Sequence, residues 1–481
     1  MKTRLNKSPL SLLPSVHQVL ERPEMQAAAD KYHRDFVLWT VQKEIDELRR
    51  ELRSQKAARF DSRTAILDEI VKRSLAGIEG KLKPSLRKVV NATGVILHTG
   101  LGRAPLSDSV RENVMRVTEG YCSLEIDLES GKRGDRTRHI EEILCFLTAA
   151  EAACVVNNNA AAVLLSLNTL CFGKEAIISR GQLIEIGGSF RMPDVMAKSG
   201  VIMVEVGTTN KTHFNDYVDA ITENTGLLCF VHPSNYRIKG FTAEVGLGEL
   251  VRIGREHGIP VFEDLGGGIL VDLREYGLPY EPVVRESVEC GADVVTFSGD
   301  KVFGGPQAGL IVGKRKYIEQ IKRNPLMRAL RCDKMTYAAL EATLKLFLDK
   351  TRLPERNRVL TLMTLDQTAL SQRASELARR ITAGEPKELE VEVVDAVSQI
   401  GSGALPLEEL PSKAVRLRSP RLGVEGLARL FRLHTPPVLG YIRNDWLYFD
   451  VRTFLPGEED LLVSAVGDVC DQLRGGESAK S

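Results

Sequence analysis

From Glu151 to Ser298 short, β-branched apolar runs alternate with stretches of helical period. The runs are 153–156, 175–179, 201–206, 225–232, 260–264 and 294–297, and a helix is predicted to start near Asn159. Strands buried on both faces read as continuous apolar runs, and strands joined through helices lie parallel. The alternation therefore predicts an α/β fold: a mostly parallel sheet with helices on both faces, whose ligands gather beyond the strands' C-terminal ends. The last run, Val294-Val295-Thr296-Phe297, leads into Ser298-Gly299-Asp300-Lys301 and so delivers one amine to such an end.

Gly304, Gly305 and Gly309 follow that amine and leave room for a cofactor or a backbone to approach. A loop lysine is ordinarily solvated, but three further stretches favour the Schiff-base lysine of a pyridoxal-phosphate enzyme. Such a site needs an amine, an anion facing the pyridinium nitrogen and donors for the phosphate. Asp264, ending Ile259-Pro260-Val261-Phe262-Glu263-Asp264 ahead of three glycines, supplies the anion, where the plainer reading is a strand-end turn aspartate. Val155-Val156-Asn157-Asn158-Asn159-Ala160 runs from strand through polar turn into helix. The N–H groups and dipole of that helix start favour an anion, so Asn158, Asn159 and Ala160 form the expected phosphate cradle, although Asn residues there also serve as plain N-caps. Ser298 can add a donor. Arg103, Arg136, Arg328 and Arg331 stand beside turns, and their guanidinium forks suit a second, oxyanionic substrate as well as they suit surface ion pairs. His98 could serve as a catalytic base but reads better as a structural histidine.

The chain has 481 residues, 43% hydrophobic and 27% charged, enough for two or three domains of a globular protein. No apolar run is long enough for a membrane span, and proline breaks the short Leu10-Ser11-Leu12-Leu13 segment, so a cytoplasmic protein is expected. The eight cysteines include no CxxC pair, which points to neither a zinc site nor a disulfide framework; Cys332, between Arg331 and Asp333, has the most polar setting. Charge is uneven: the first 90 residues hold 19 Lys and Arg against 12 Asp and Glu, net +7, and the remainder is net −6. That stretch has helical periodicity from about 15 to 80, with Lys and Arg on its polar faces and no interleaved aromatics, which suits the phosphates of a folded RNA. After a linker at 80–84 and a helix near 107–119, the core ends in a helix at 333–350. Alternating segments at 389–394, 414–417 and 445–451 predict antiparallel strands of a second, smaller domain. The expected division is 1–85 helical, 86–350 core, and 351–481 small α+β.

The stretch Gly299-Asp300-Lys301-Val302-Phe303-Gly304-Gly305-Pro306-Gln307-Ala308-Gly309 resembles the bacterial selenocysteine synthase (L-seryl-tRNA(Sec) selenium transferase) family. So do Asn91-Ala92-Thr93-Gly94, Thr99-Gly100-Leu101-Gly102-Arg103, Asn157-Asn158-Asn159-Ala160-Ala161, Gly187-Gly188-Ser189-Phe190-Arg191, Val206-Gly207-Thr208-Thr209-Asn210, Ser234-Asn235-Tyr236 and Glu263-Asp264-Leu265-Gly266. The resemblance implies a fold-type-I (aspartate aminotransferase-like) pyridoxal-phosphate enzyme that converts seryl-tRNA(Sec) to selenocysteinyl-tRNA(Sec) with selenophosphate. By that analogy Lys301 carries the cofactor and, once freed, removes the seryl Cα proton before the β-hydroxyl leaves and selenium adds at Cβ. Asp300, Thr208, Thr209 and Tyr236 would surround it with polar groups. The four arginines would hold selenophosphate or the aminoacyl end, and the N-terminal domain would grip the tRNA. The implied assembly is a homodecamer built as a ring of dimers, with no membrane, DNA or metal partner.

Two other readings use the same residues. A small-molecule pyridoxal-phosphate lyase, such as an ammonia-lyase for an amino sugar acid, would share Lys301 and Asp264 but has no need of a basic N-terminal domain. A non-enzymatic RNA-binding protein leaves the Asp264 and Lys301 pair unexplained.

Overall fold

The computed structural model describes residues 9–54, 60, 62–186, 190–233, 236, 238–401 and 408–475. Gly187, Gly188, Ser189, Ser234 and Asn235 of the motifs, the basic residues Lys56 and Arg59, the helix-start residue Asp61 and the tail beyond 475 lie outside the described residues. Contacts divide the chain into two compact units, Met1–Lys88 and Val89–Ser481.

The first unit is helical, with helices at Val16–Leu20, Pro23–Lys31, Arg34–Arg53 and Arg63–Leu82. Val37, Val41, Ile45 and Leu48 recur at helical spacing and pack against Ile66, Ile70 and Ile78 of the fourth helix, forming a core of the unit's own. Ser62 starts that helix by accepting the Ala65 N–H at 3.1 Å. The helix continues through Gly80 to Leu82, so the stretch expected to be a linker still forms its last turn.

The second unit is built on a seven-stranded sheet: β1 (Ala152–Val156), β2 (Glu175–Ser179), β3 (Ile202–Val206), β4 (Thr225–Val231), β5 (Val261–Gly266), β6 (Val294–Ser298) and β7 (Gly309–Gly313). Their order is β1-β7-β6-β5-β4-β2-β3. Strands β3, β2, β4, β5 and β6 are parallel, and β7 runs antiparallel between β1 and β6. Alternate residues feed two cores: Ala153, Val155, Val295 and Phe297 face one layer, and Ala152, Cys154, Val156 and Val294 the other. The β7 strand is absent from the sequence reading, because its Gly-Leu-Ile-Val-Gly run is short and bounded by glycines. Gly309 permits it: a Cβ there would stand 2.1 Å from the Asn158 carbonyl oxygen.

A four-stranded antiparallel sheet follows, with Glu390–Gln399, Glu409–Arg418, Trp446–Asp450 and Tyr441–Arg443 in that order. Leu370, Leu377, Phe431 and Leu462 from the C-terminal helices cover its Val415, Leu447 and Phe449. Val90 and Ala92 belong to this same core, and Val90–Asn91 pairs in parallel with Val438–Leu439. The segment expected to open the catalytic core therefore begins inside the C-terminal layer and crosses to the large sheet afterwards.

Candidate active site

Strands β5 and β6 are neighbours, with Asp264 opposite Thr296, and they carry Asp264 and the Ser298–Lys301 turn to the same end of the sheet. Lys301 is 5% exposed and Asp264 4%. Burial lowers the pKa of the Lys301 amine; the charge of Asp264 opposes this, and Arg103 reinforces it. Burial raises the pKa of Asp264, while three hydrogen-bond donors and the field of Lys301 pull it back. Those donors are Asn159 Nδ2 at 2.7 Å, Thr296 Oγ1 at 3.1 Å and the Gly266 N–H at 3.1 Å.

Asn158 caps the Asn159–Cys171 helix, its Oδ1 accepting the Ala161 N–H at 2.8 Å. The N–H groups of Asn159 and Ala160 belong to the first turn and have no acceptor within the helix. The Asn159 side chain turns to Asp264, and its Oδ1 is buried without a partner. Ser298 is buried where β6 ends. A fully buried carboxylate that needs a facing cation, an orphaned acceptor beside it, helix-start donors and a buried amine together fit pyridoxal phosphate.

The four arginines divide. Arg103 reaches Asp300 at 2.8 Å; it follows a tight turn in which the His98 carbonyl accepts the Leu101 and Arg103 N–H groups. Half-buried His98 thus shapes the Arg103 turn, and its Nδ1 has no partner. Arg136, Arg328 and Arg331 line one cavity of about 400 Å³ together with Arg133, Arg323 and Lys322. Glu125 organises it, pairing with Arg136 at 2.6 Å, Arg133 at 2.6 Å and Arg331 at 3.5 Å; the Arg136 hydrogen bond holds its pKa below the usual carboxylate value. The cavity adjoins the turn that leads into the Asn159–Cys171 helix, since the Asn157 N–H donates to Leu330 O at 2.9 Å. Arg133, Arg323, Lys322 and Glu125 were missed in the sequence; only the proximity of Arg133 to Arg136 could have signalled one of them.

Thr208, Thr209 and Tyr236 line a different cavity, beyond the ends of β2 and β4, and the Tyr236 hydroxyl donates to Gly181 O. Asp300 is buried and held in its Arg103 pair. Cys332 does not keep the polar setting its neighbours suggested. It is 3% exposed, burial pushes its thiol up to about 12, and its carbonyl accepts from Arg136.

In the N-terminal unit, Arg73 is committed to Glu51 and Glu69 at 2.9 and 2.8 Å, and Arg49 to Asp46. Arg50, Arg53 and Lys72 stay exposed.

The family model described as SelA, L-seryl-tRNA selenium transferase, matches residues 89–455. The L-seryl-tRNA(Sec) selenium transferase of Caldanaerobacter subterraneus subsp. tengcongensis is 47% identical over 457 residues, covering 95% of this chain and 97% of that protein. Its counterpart from Geobacter sulfurreducens is 46% identical over 459 residues, covering 95% and 99%. Among solved structures, D-glucosaminate-6-phosphate ammonia-lyase matches with a TM-score of 0.54 at 18% identity, over 82% of this chain and 98% of that one. That likeness is one of fold, the fold-type-I architecture of pyridoxal-phosphate enzymes.

Proposed function

Because the chain belongs to the L-seryl-tRNA selenium transferase family, we propose that it converts L-seryl-tRNA(Sec) to L-selenocysteinyl-tRNA(Sec), with selenophosphate as the selenium donor. It is a pyridoxal-phosphate-dependent transferase. The observation that carries the reading is the pair of buried side chains, Lys301 and Asp264, at the ends of adjacent parallel strands.

When bound, the cofactor supplies an electron sink for the charge left as the seryl Cα gives up its proton. Lys301 holds the cofactor and then acts as the base: burial favours its neutral amine, the form that accepts a proton at Nζ. Arg103 adds to this by placing positive charge beside Lys301, and Asp300 keeps Arg103 in position. Asp264, steadied by Asn159 and Thr296, would be the partner of the cofactor's ring nitrogen. The helix-start N–H groups of Asn159 and Ala160, with Ser298, would hold the cofactor phosphate. Arg136, Arg328 and Arg331 take the selenophosphate oxyanion, for which Glu125 acts as the resident counter-charge.

The Met1–Lys88 unit grips the tRNA, a role supported by its excess of cations and by the exposed Arg50, Arg53 and Lys72. The working form is a cytoplasmic ring of ten copies built from dimers. Support for association comes from Met115, Tyr121 and Leu128, apolar side chains at least 66% exposed along one stretch. Among the described residues no helix is long and apolar enough to cross a membrane.

Incubation of the holoenzyme with seryl-tRNA(Sec) and selenophosphate tests the proposal. Selenium on the esterified amino acid is the expected product. Ammonia release from a phosphorylated amino sugar acid, with no selenium transfer, would favour the lyase.

A further inference from the structure

The chemistry above leaves the cavity lined by Thr208, Thr209 and Tyr236 without an occupant. It measures about 540 Å³, within the ~300–1,000 Å³ range of small-ligand pockets, and opens beyond the C-terminal ends of β2 and β4. Two wall residues tie it to the reacting centre. Glu281, buried there, is near enough to Lys301 for its charge to favour the protonated amine. The His232 backbone N–H donates to Asp264 O at 2.9 Å.

Tyr280, also in the wall, is clamped. Its hydroxyl donates to Glu286 Oε2 at 2.5 Å, and the Arg274 guanidinium lies 4.7 Å from the ring centroid. The residue nonetheless remains 45% exposed. A ring anchored at its edge, covered by a cation and still open to solvent is a preformed stacking platform for a base. Thr208, Thr209 and Asn210 bring hydroxyl and amide groups to the same cavity, as ribose hydroxyls require. Exposed at its rim are Lys211 and Lys239, neither of which has a carboxylate partner among the described residues.

The substrate of the proposed reaction is serine esterified to the last ribose of an RNA. Its Cα reaches Lys301 only if that ribose sits one ester linkage away. The arginine-lined cavity has the chemistry of an oxyanion site, and the Tyr280 cavity, whose wall is tied to Lys301 and Asp264, has that of a nucleoside site. Resting on the proposed function, we propose that this cavity receives the 3′-terminal nucleoside of the aminoacylated RNA. The base stacks on Tyr280, the ribose lies against Thr208 and Thr209, and the preceding phosphate meets Lys211 and Lys239.

The test uses holoenzyme and two probes. One is 3′-deoxy-3′-(L-serylamino)adenosine, a non-hydrolysable substrate end; the other is L-serinamide, the amino acid without the nucleoside. Binding is read from the change each causes in the cofactor's visible absorption. Tyr280→Ala is expected to weaken the nucleoside probe about tenfold or more and to leave serinamide within about twofold. Tyr280→Phe, which keeps the ring, should hold nucleoside affinity within about threefold. Equal losses for both probes, no loss for either, or a wild-type holoenzyme that binds serinamide but not the nucleoside probe would each overturn the assignment. Failure of the underlying reaction shows separately, as a wild-type holoenzyme that places no selenium on seryl-tRNA(Sec).

Discussion

The side-chain amide of Asn159 donates to the carboxylate of Asp264 across 2.7 Å, joining the start of the Asn159–Cys171 helix to the strand that carries the anion. One residue thereby couples the end of the site proposed for the cofactor phosphate to the end proposed for the ring nitrogen. With Thr296 and the Gly266 N–H, it counters part of the desolvation that raises the pKa of Asp264.

Asn159→Ala removes a hydrogen bond to a charged group, worth about 1.5–3 kcal/mol. Cofactor affinity should fall by about tenfold or more, as measured by titrating apoenzyme with pyridoxal phosphate and following visible absorbance. Unchanged affinity would mean that Asp264 needs no such support.

Arg103 and Lys301 repel each other, and that repulsion adds to the burial that lowers the pKa of the Lys301 amine. In Arg103→Gln the repulsion is gone while Asp264, Asp300 and Glu281 remain, so the pKa of Lys301 rises. A smaller neutral fraction is then present at any given pH. The rising limb of the kcat/KM profile should move to higher pH, with several-fold lower activity near neutrality. A limb that stays in place would show that Lys301 is not the titrating base.

Much of this site can be read from the chain itself because its parts sit where regular structure ends. Lys301, Asp264 and Asn158 each follow an apolar run, and such runs become buried strands whose ends must lie together in a parallel sheet. What stays hidden depends on tertiary placement. The turn of Asn159 toward Asp264, the grouping of Arg323 and Lys322 with Arg136, and the burial of Cys332 join residues far apart in sequence. The strand β7 is hidden for another reason: the glycine that lets it pass Asn158 reads locally as a turn.

Glu263 points away from Asp264 into the packing beside Ser287, and its Oε2 has no partner. Burial pushes its carboxyl from 4.5 up to about 7. The folded state therefore binds more protons than the unfolded state between those values. The stability this contributes is complete below about 4.5 and is lost as pH rises through about 7. Glu263→Gln should remove that loss and gain about 2 kcal/mol on wild type between pH 5 and pH 8, measured by urea unfolding at both. Parallel pH dependences for the two proteins would contradict the assignment.

The Met1–Lys88 unit has its own core, so a chain of residues 89–481 should still fold and bind the cofactor. Its affinity for tRNA should drop about a hundredfold, with a shallower dependence on salt as phosphate contacts are lost. Gel-shift titrations at two salt concentrations measure both effects. Full retention of tRNA affinity would place the RNA contacts on the second unit.

We propose that the Lys301 amine, and no other, bonds to the cofactor beside Asp264. Borohydride reduction of the holoenzyme followed by peptide mapping tests it most directly. The pyridoxyl group should be found on the peptide containing Lys301, and Lys301→Ala should lose the visible band. A pyridoxyl group on a different lysine, with the band intact in Lys301→Ala, would contradict the account.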